Sequence, residues 1–146
     1  MIELDLALQK QKQEIEDLKT CEINIFKGFG KDILLSFSGV FQYTDGDQGV
    51  SGTQKKIDEG FYKSLEDFDS YHTADIEFTD YYKGLKFDEY REKTKSNLLE
   101  LAKTWRDRVS KEYPEADITI VVHKQDGDWF LDTFNYNVNI ENALYI

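Results

Sequence analysis

The stretch SLEDFDSYHTADIEFTDYY, residues 64 to 82, carries six carboxylates, Glu66, Asp67, Asp69, Asp75, Glu77 and Asp80, with five aromatic residues and neither lysine nor arginine. Carboxylates at that density can ligate a hard cation, act as a general acid and base pair, or present a negative field to a basic partner. A second group, Asp45-Gly46-Asp47-Gln48-Gly49, has the alternating carboxylates that open a calcium loop. An EF-hand needs an oxygen ligand at its fifth position, glycine at the sixth and glutamate at the twelfth; here Gly49, Val50 and Lys56 stand in those places. The motif fails, and these residues read as turn formers.

His72 and His123 are far apart and sit in no HxH, HExxH or HxxxH spacing, so each reads as a half-exposed polar residue and no metal site is expected. Cys21 is the only cysteine and reads as a small buried hydrophobe at a strand start. No GxSxG elbow, Cys-His pair with local context, phosphate loop or GxGxxG is present, and Gly28-Phe29-Gly30 serves better as a hairpin turn than as part of a glycine-rich loop. Paired carboxylates are plentiful, but at a sequence pI near 4.6 they neighbour one another by chance. A non-catalytic chain without cofactor is expected.

The charge balance, 29 acidic against 18 basic residues for a net of −11, argues against nucleic acid as a partner, because phosphate neutralisation needs clustered Lys and Arg. Residues 44 to 92 hold thirteen acids and six bases, a net of −7, so the acidity is concentrated in the middle. Tyr71, Tyr81 and Tyr82 lie among these acids, and tyrosine favours interfaces because it joins a large apolar ring to a hydrogen-bonding tip. The stretch therefore reads as an acidic, tyrosine-bearing recognition face.

The elements that must position this face follow from periodicity. Leu4, Leu8, Ile15 and Leu18, with Gln11 filling the gap, predict an amphipathic helix over 2–19. Cys21, Ile23 and Ile25 alternate, as do Ile33, Leu35 and Phe37. A loop at Gly28-Phe29-Gly30 would set Ile25 against Ile33, Ile23 against Leu35 and Cys21 against Phe37. Residues 44 to 53 are a loop by composition, and Ile57, Phe61, Leu65 and Phe68 give a short helix. TADIEFT returns to period two, with Ala74, Ile76 and Phe78 on one side and Asp75 and Glu77 facing out.

Phe87, Tyr90, Thr94, Leu98, Leu101, Trp105 and Val109 form the longest helical stripe, from Lys86 to about Tyr113, and Pro114 follows its end. A terminal hairpin comes next. A three-residue loop with left-handed Gly127 would put Val122 against Phe130 and Ile118 against Phe134, collecting the larger apolar residues on one face. Asp132 falls among those apolar residues with no partner legible in the sequence.

The expected architecture is a single α+β domain spanning 1–146, with an antiparallel sheet of about five strands. The long helix and the N-terminal helix are expected to pack on one face of it. Aromatic residues make up 14% of the chain, enough to supply a core despite a mean hydropathy of −0.62. Acids from position 3 onward leave no apolar signal core, no apolar run is long enough to span a membrane, and the lone cysteine suits a reducing compartment. A cytoplasmic monomer or weak dimer is expected.

Residues 85 to 137, LKFDEYREKTKSNLLELAKTWRDRVSKEYPEADITIVVHKQDGDWFLDTFNYN, resemble the YezG-like immunity proteins of bacterial polymorphic toxin systems. In these a long amphipathic helix precedes an apolar strand, a glycine-containing turn and a strand ending in an aromatic-rich sequence, here LDTFNYN. The family often has Pro-Trp before the first of these strands, where this chain has Pro-Glu-Ala-Asp. The resemblance implies an acidic antitoxin that binds a cognate, basic, commonly nuclease-type toxin domain. Glu66, Asp67, Asp69, Asp75, Glu77 and Asp80 would then supply the field, with Tyr71, Tyr81 and Tyr82 as anchors. A binding module for a small molecule or peptide, with Trp105 and Trp129 lining an apolar pocket, is the alternative.

Overall fold

The computed structural model describes residues 2–27, 33–37, 72–78, 88–134 and 137–146. In chain order these form helix α1 (Ile2–Lys19), strands β1 (Ile23–Lys27), β2 (Ile33–Phe37) and β3 (His72–Glu77), helix α2 (Asp88–Glu112), and strands β4 (Thr119–Gln125), β5 (Asp128–Phe134) and β6 (Ala143–Tyr145). The architecture is α+β. The expected loop over 44–53 and the short helix after it lie outside the described residues.

α2 organises the molecule. Its stripe of Tyr90, Thr94, Leu98, Leu101, Trp105 and Val109, joined by Ala102, is buried from one end to the other. Asp88 and Glu89 occupy its first turn and Lys111 its last, the order that the helix dipole favours. One side packs on β4 and β5, where Ile118, Ile120, Val122 and Leu131 complete the core, and α1 lies along α2.

The α1–α2 contact explains the polar gap in the first helix's stripe. Gln11 is buried, donates through Nε2 to Thr94 Oγ1 at 2.6 Å and accepts from Asn97 Nδ2 at 2.6 Å, while Thr94 Oγ1 donates to the Tyr90 carbonyl. A buried amide satisfied on both ends fixes the register of the two helices without an unpaired polar group. The C-terminal carbonyls of α1 are also capped from α2: Trp105 Nε1 donates to Leu18 O at 2.8 Å, and Arg108 Nη1 to Lys19 O and Cys21 O at 3.0 and 2.7 Å.

β1 and β2 pair antiparallel, with Ile23 opposite Phe37, Ile25 opposite Leu35 and Lys27 opposite Ile33. The expected register is therefore corrected by two residues. A shift of two preserves the alternation of faces, so the hydrophobic pattern could not have detected it. It frees Cys21, whose carbonyl is taken by Arg108, and brings Phe37 over Trp105, with ring centroids 4.0 Å apart.

The single sheet of about five strands is also corrected. The described strands form this pair and a separate four-stranded antiparallel sheet in the order β3-β5-β4-β6. β6 is three residues long, too short to leave a periodic signal.

The β4–β5 turn overturns a third expectation. Gln125 pairs with Asp128, so the loop has two residues, and Asp126 (φ 52°) and Gly127 (φ 88°) both take left-handed conformations. Such a turn matches the right-handed twist of the strands it joins. It places Val122 opposite Leu131 and Ile120 opposite Thr133, and it sends Phe130, Asp132 and Phe134 to the other face. The three-residue register assumed that only one face needed large residues, yet Val121, His123 and Asp132 on the other face are buried too.

Candidate functional site

The registers place residues in rows across the four-stranded sheet. Ala143, His123, Phe130 and Glu77 are successive cross-strand partners from β6 to β3, and Tyr145, Val121, Asp132 and Asp75 form the next row. This face is turned away from the core that α2 shares with Ile120, Val122 and Leu131.

Period two in TADIEFT holds where side chains are described: Ile76 and Phe78 are buried and Glu77 is exposed. Glu77 holds its proton more tightly than an ordinary glutamate, first because neighbouring protein strips part of its water and second because the Asp128 charge repels its anion. Asp128 lies 3.7 Å from Arg91 Nε, and Arg91 also reaches Asp88 at 3.8 Å, so one guanidinium serves two carboxylates near a third.

The stability consequence has a definite sign. Because the folded state raises the Glu77 pKa, it binds more proton than the unfolded chain once pH climbs past the ordinary carboxyl value, and stability contributed by this group falls as pH rises through that window. Glu77→Gln is therefore expected to be indistinguishable from the parent at about pH 4 and more stable at about pH 7 in urea melts. A variant less stable at neutral pH would show that the Glu77 carboxylate is held by a favourable partner.

Of the residues expected to form the recognition face, Glu77 is described with its side chain, and Asp75 is placed by the backbone register opposite Asp132. Glu66, Asp67, Asp69, Tyr71, Asp80, Tyr81 and Tyr82 lie outside the described residues.

A constellation that sequence reading missed stands beside Glu77. His123, expected to be half-exposed, is buried at 8% exposure, and its Nε2 lies 2.5 Å from Asp132 Oδ2, itself 6% exposed. The imidazole also stacks on Phe130 at 5.3 Å. The signal was the Asp-Gly turn: once it is read as a two-residue loop, His123 and Asp132 become diagonal neighbours on one face, and Asp132 gains the partner it lacked. A carboxylate-oriented imidazole can serve as a general base. Among the described residues, no serine, threonine or cysteine hydrogen bonds to it, and no three His, Cys, Asp or Glu side chains gather into a metal-binding group.

The tryptophans occupy different settings. Trp105 is fully buried, with Phe37 on its ring face and the Leu18 carbonyl on its N–H, which makes it a core residue. Trp129 is half-buried at the edge of the core, with Lys95 Nζ 4.9 Å and Lys124 Nζ 5.9 Å from its ring centroid. Cys21 is half-buried, and its thiol is pushed up chiefly by burial, against the opposing pull of Arg108, the reverse of what activates a nucleophile. Among the described residues no helix is long and apolar enough to cross a membrane. The chain matches no family model, no curated protein and no solved structure.

Proposed function

We propose that this chain is an acidic, non-catalytic immunity protein of the cytoplasm that binds a cognate toxin domain and covers its basic surface. The observation that carries the reading is the acidic outer face of β3, where Glu77 is exposed, Asp75 shares its face by register and Asp128 stands diagonal to Glu77 on β5. Stability alone gives no reason for that placement. A cationic partner does, because it relieves the repulsion on binding. The stretch in which Glu77 lies is the acidic centre of the chain. The resemblance of residues 85 to 137 to YezG-like proteins supplies the class of partner, a nuclease-type toxin.

Glu66, Asp67, Asp69, Asp75, Glu77 and Asp80 would steer the basic domain to fast encounter, and Tyr71, Tyr81 and Tyr82 would slow its departure. The test measures association with a cognate toxin domain. Neutralising Asp75→Asn and Glu77→Gln together should leave the protein folded and no less stable than the parent at neutral pH. Association should slow several-fold at low ionic strength, and the difference should vanish as the Debye length falls to ~3 Å in molar salt. Unchanged association rates at low salt would remove these two carboxylates from the binding face.

A further inference from the structure

β6 forms the edge of the four-stranded sheet opposite β3. The direction of its backbone groups follows from one bond. Ile146 N–H donates to Ile120 O at 3.0 Å, which makes Ile146/Ile120 a hydrogen-bonded pair in the register that sets Leu144 opposite Val122 and Tyr145 opposite Val121. Hydrogen-bonded and non-hydrogen-bonded pairs alternate along an antiparallel ladder, so Leu144 also bonds inward, while the N–H and C=O of Ala143 and Tyr145 point away from the sheet. Nothing among the described residues bonds to those four groups.

The same edge exposes large apolar side chains, Leu144 at 43% and Tyr145 at 49%. β6 is short, which is one way natural edges are blunted, but Ala143-Leu144-Tyr145 carries no lysine, proline or bulge. It is also held in place. Tyr145 Oη accepts from Ile140 N–H at 2.6 Å, and Arg106 ties the Ile146 and Ile118 carbonyls together at 3.0 Å each. An edge already rigid in its extended form gives up little entropy when a strand adds to it.

We propose that the outer edge of β6 is a docking edge for an extended segment of a basic protein, which adds as a further strand on Ala143 and Tyr145 and covers Leu144 and Tyr145. Charge selects this occupant over a second copy of the chain: two copies bring together net charges of −11 each, whereas a lysine- or arginine-bearing strand approaches down the field of the whole molecule. The inference rests on the proposed function only for the partner's charge, since β6 and the acidic β3 lie at opposite edges of the sheet.

The probe is an acetylated, amidated Lys-Val-Lys-Val-Lys-Val peptide, with amide exchange followed residue by residue. Binding should slow exchange of the Ala143 and Tyr145 amides by about tenfold or more. The same peptide N-methylated at alternate residues should not bind, and Leu144→Lys should weaken binding by about tenfold while leaving the melting temperature unchanged. Protection confined to other strands, equal binding of the N-methylated peptide, or no binding at all would overturn the proposal. Concentration-dependent protection of Ala143 and Tyr145 without peptide would assign the edge to a second copy instead. Protection at β6 together with loss of the salt-dependent effect of Asp75 and Glu77 would sink the steering reading and leave this one standing, and the converse result would do the opposite.

Discussion

Replacing Trp105 with alanine is expected to cost about 3 to 5 kcal/mol of stability, the largest single loss of any substitution in the helix. The indole is fully buried, and Phe37 lies against it with ring centroids 4.0 Å apart and planes inclined by 17°. Truncation leaves a cavity that Phe37 on β2, Leu101 on its own helix and the end of α1 cannot all move to fill. It also deprives the Leu18 carbonyl of its donor, at the point where α1 ends and the chain turns toward β1. Trp105→Phe separates the two effects: it keeps an aromatic ring for Phe37 and loses the N–H, so it should cost about 1 to 2 kcal/mol. Urea melts of both variants check this. A loss below about 1 kcal/mol for alanine would show that the joint between helices and β1–β2 pair is not built on this side chain.

Trp105 was legible in the sequence because α2 obeys one period for seven turns, and every described member of its predicted stripe is buried. Where the sequence misled, two arrangements shared the same period. A slip of two residues between β1 and β2 leaves each side chain on its own face, so alternation could not choose between the registers; in the observed one Cys21 lies outside the ladder and its carbonyl accepts from Arg108. In the β4–β5 hairpin, the preference for gathering phenylalanines on one face outweighed a strong local signal, Asp126-Gly127, which the structure obeys. β6 was missed because three residues make no pattern and its pairing is set by bonds from Ile146 to Ile120 and from Arg106 to Ile146, across spans that no local pattern covers. For the candidate site, alternation was enough to turn Glu77 outward. Its repulsion from Asp128 was not legible, because it depends on which strand lies beside β3.

His123 and Asp132 give the second large effect. Removing the imidazole by His123→Leu is expected to cost about 3 kcal/mol, because it takes from Asp132, a residue only 6% exposed, the ring held 2.5 Å from its carboxylate. Removing the carboxylate by Asp132→Leu should cost a similar amount, since the imidazole then keeps its burial and its place over Phe130 with Nε2 unanswered. Replacing both together should cost much less than the sum: two leucines diagonal on one sheet face can pack on each other, and neither leaves a polar group behind. The double-mutant cycle therefore carries the content. A coupling of about 2 kcal/mol or more, read from urea melts of the four proteins, identifies a pair whose members are each costly to bury alone. Additive losses would mean that each residue is held by other neighbours and that the short contact contributes little. The comparison also bears on function: if the double leucine protein is as stable as the parent yet binds its partner more weakly, the pair is kept for the shape or charge of the face it shares with Glu77, and stability is not its reason for being there.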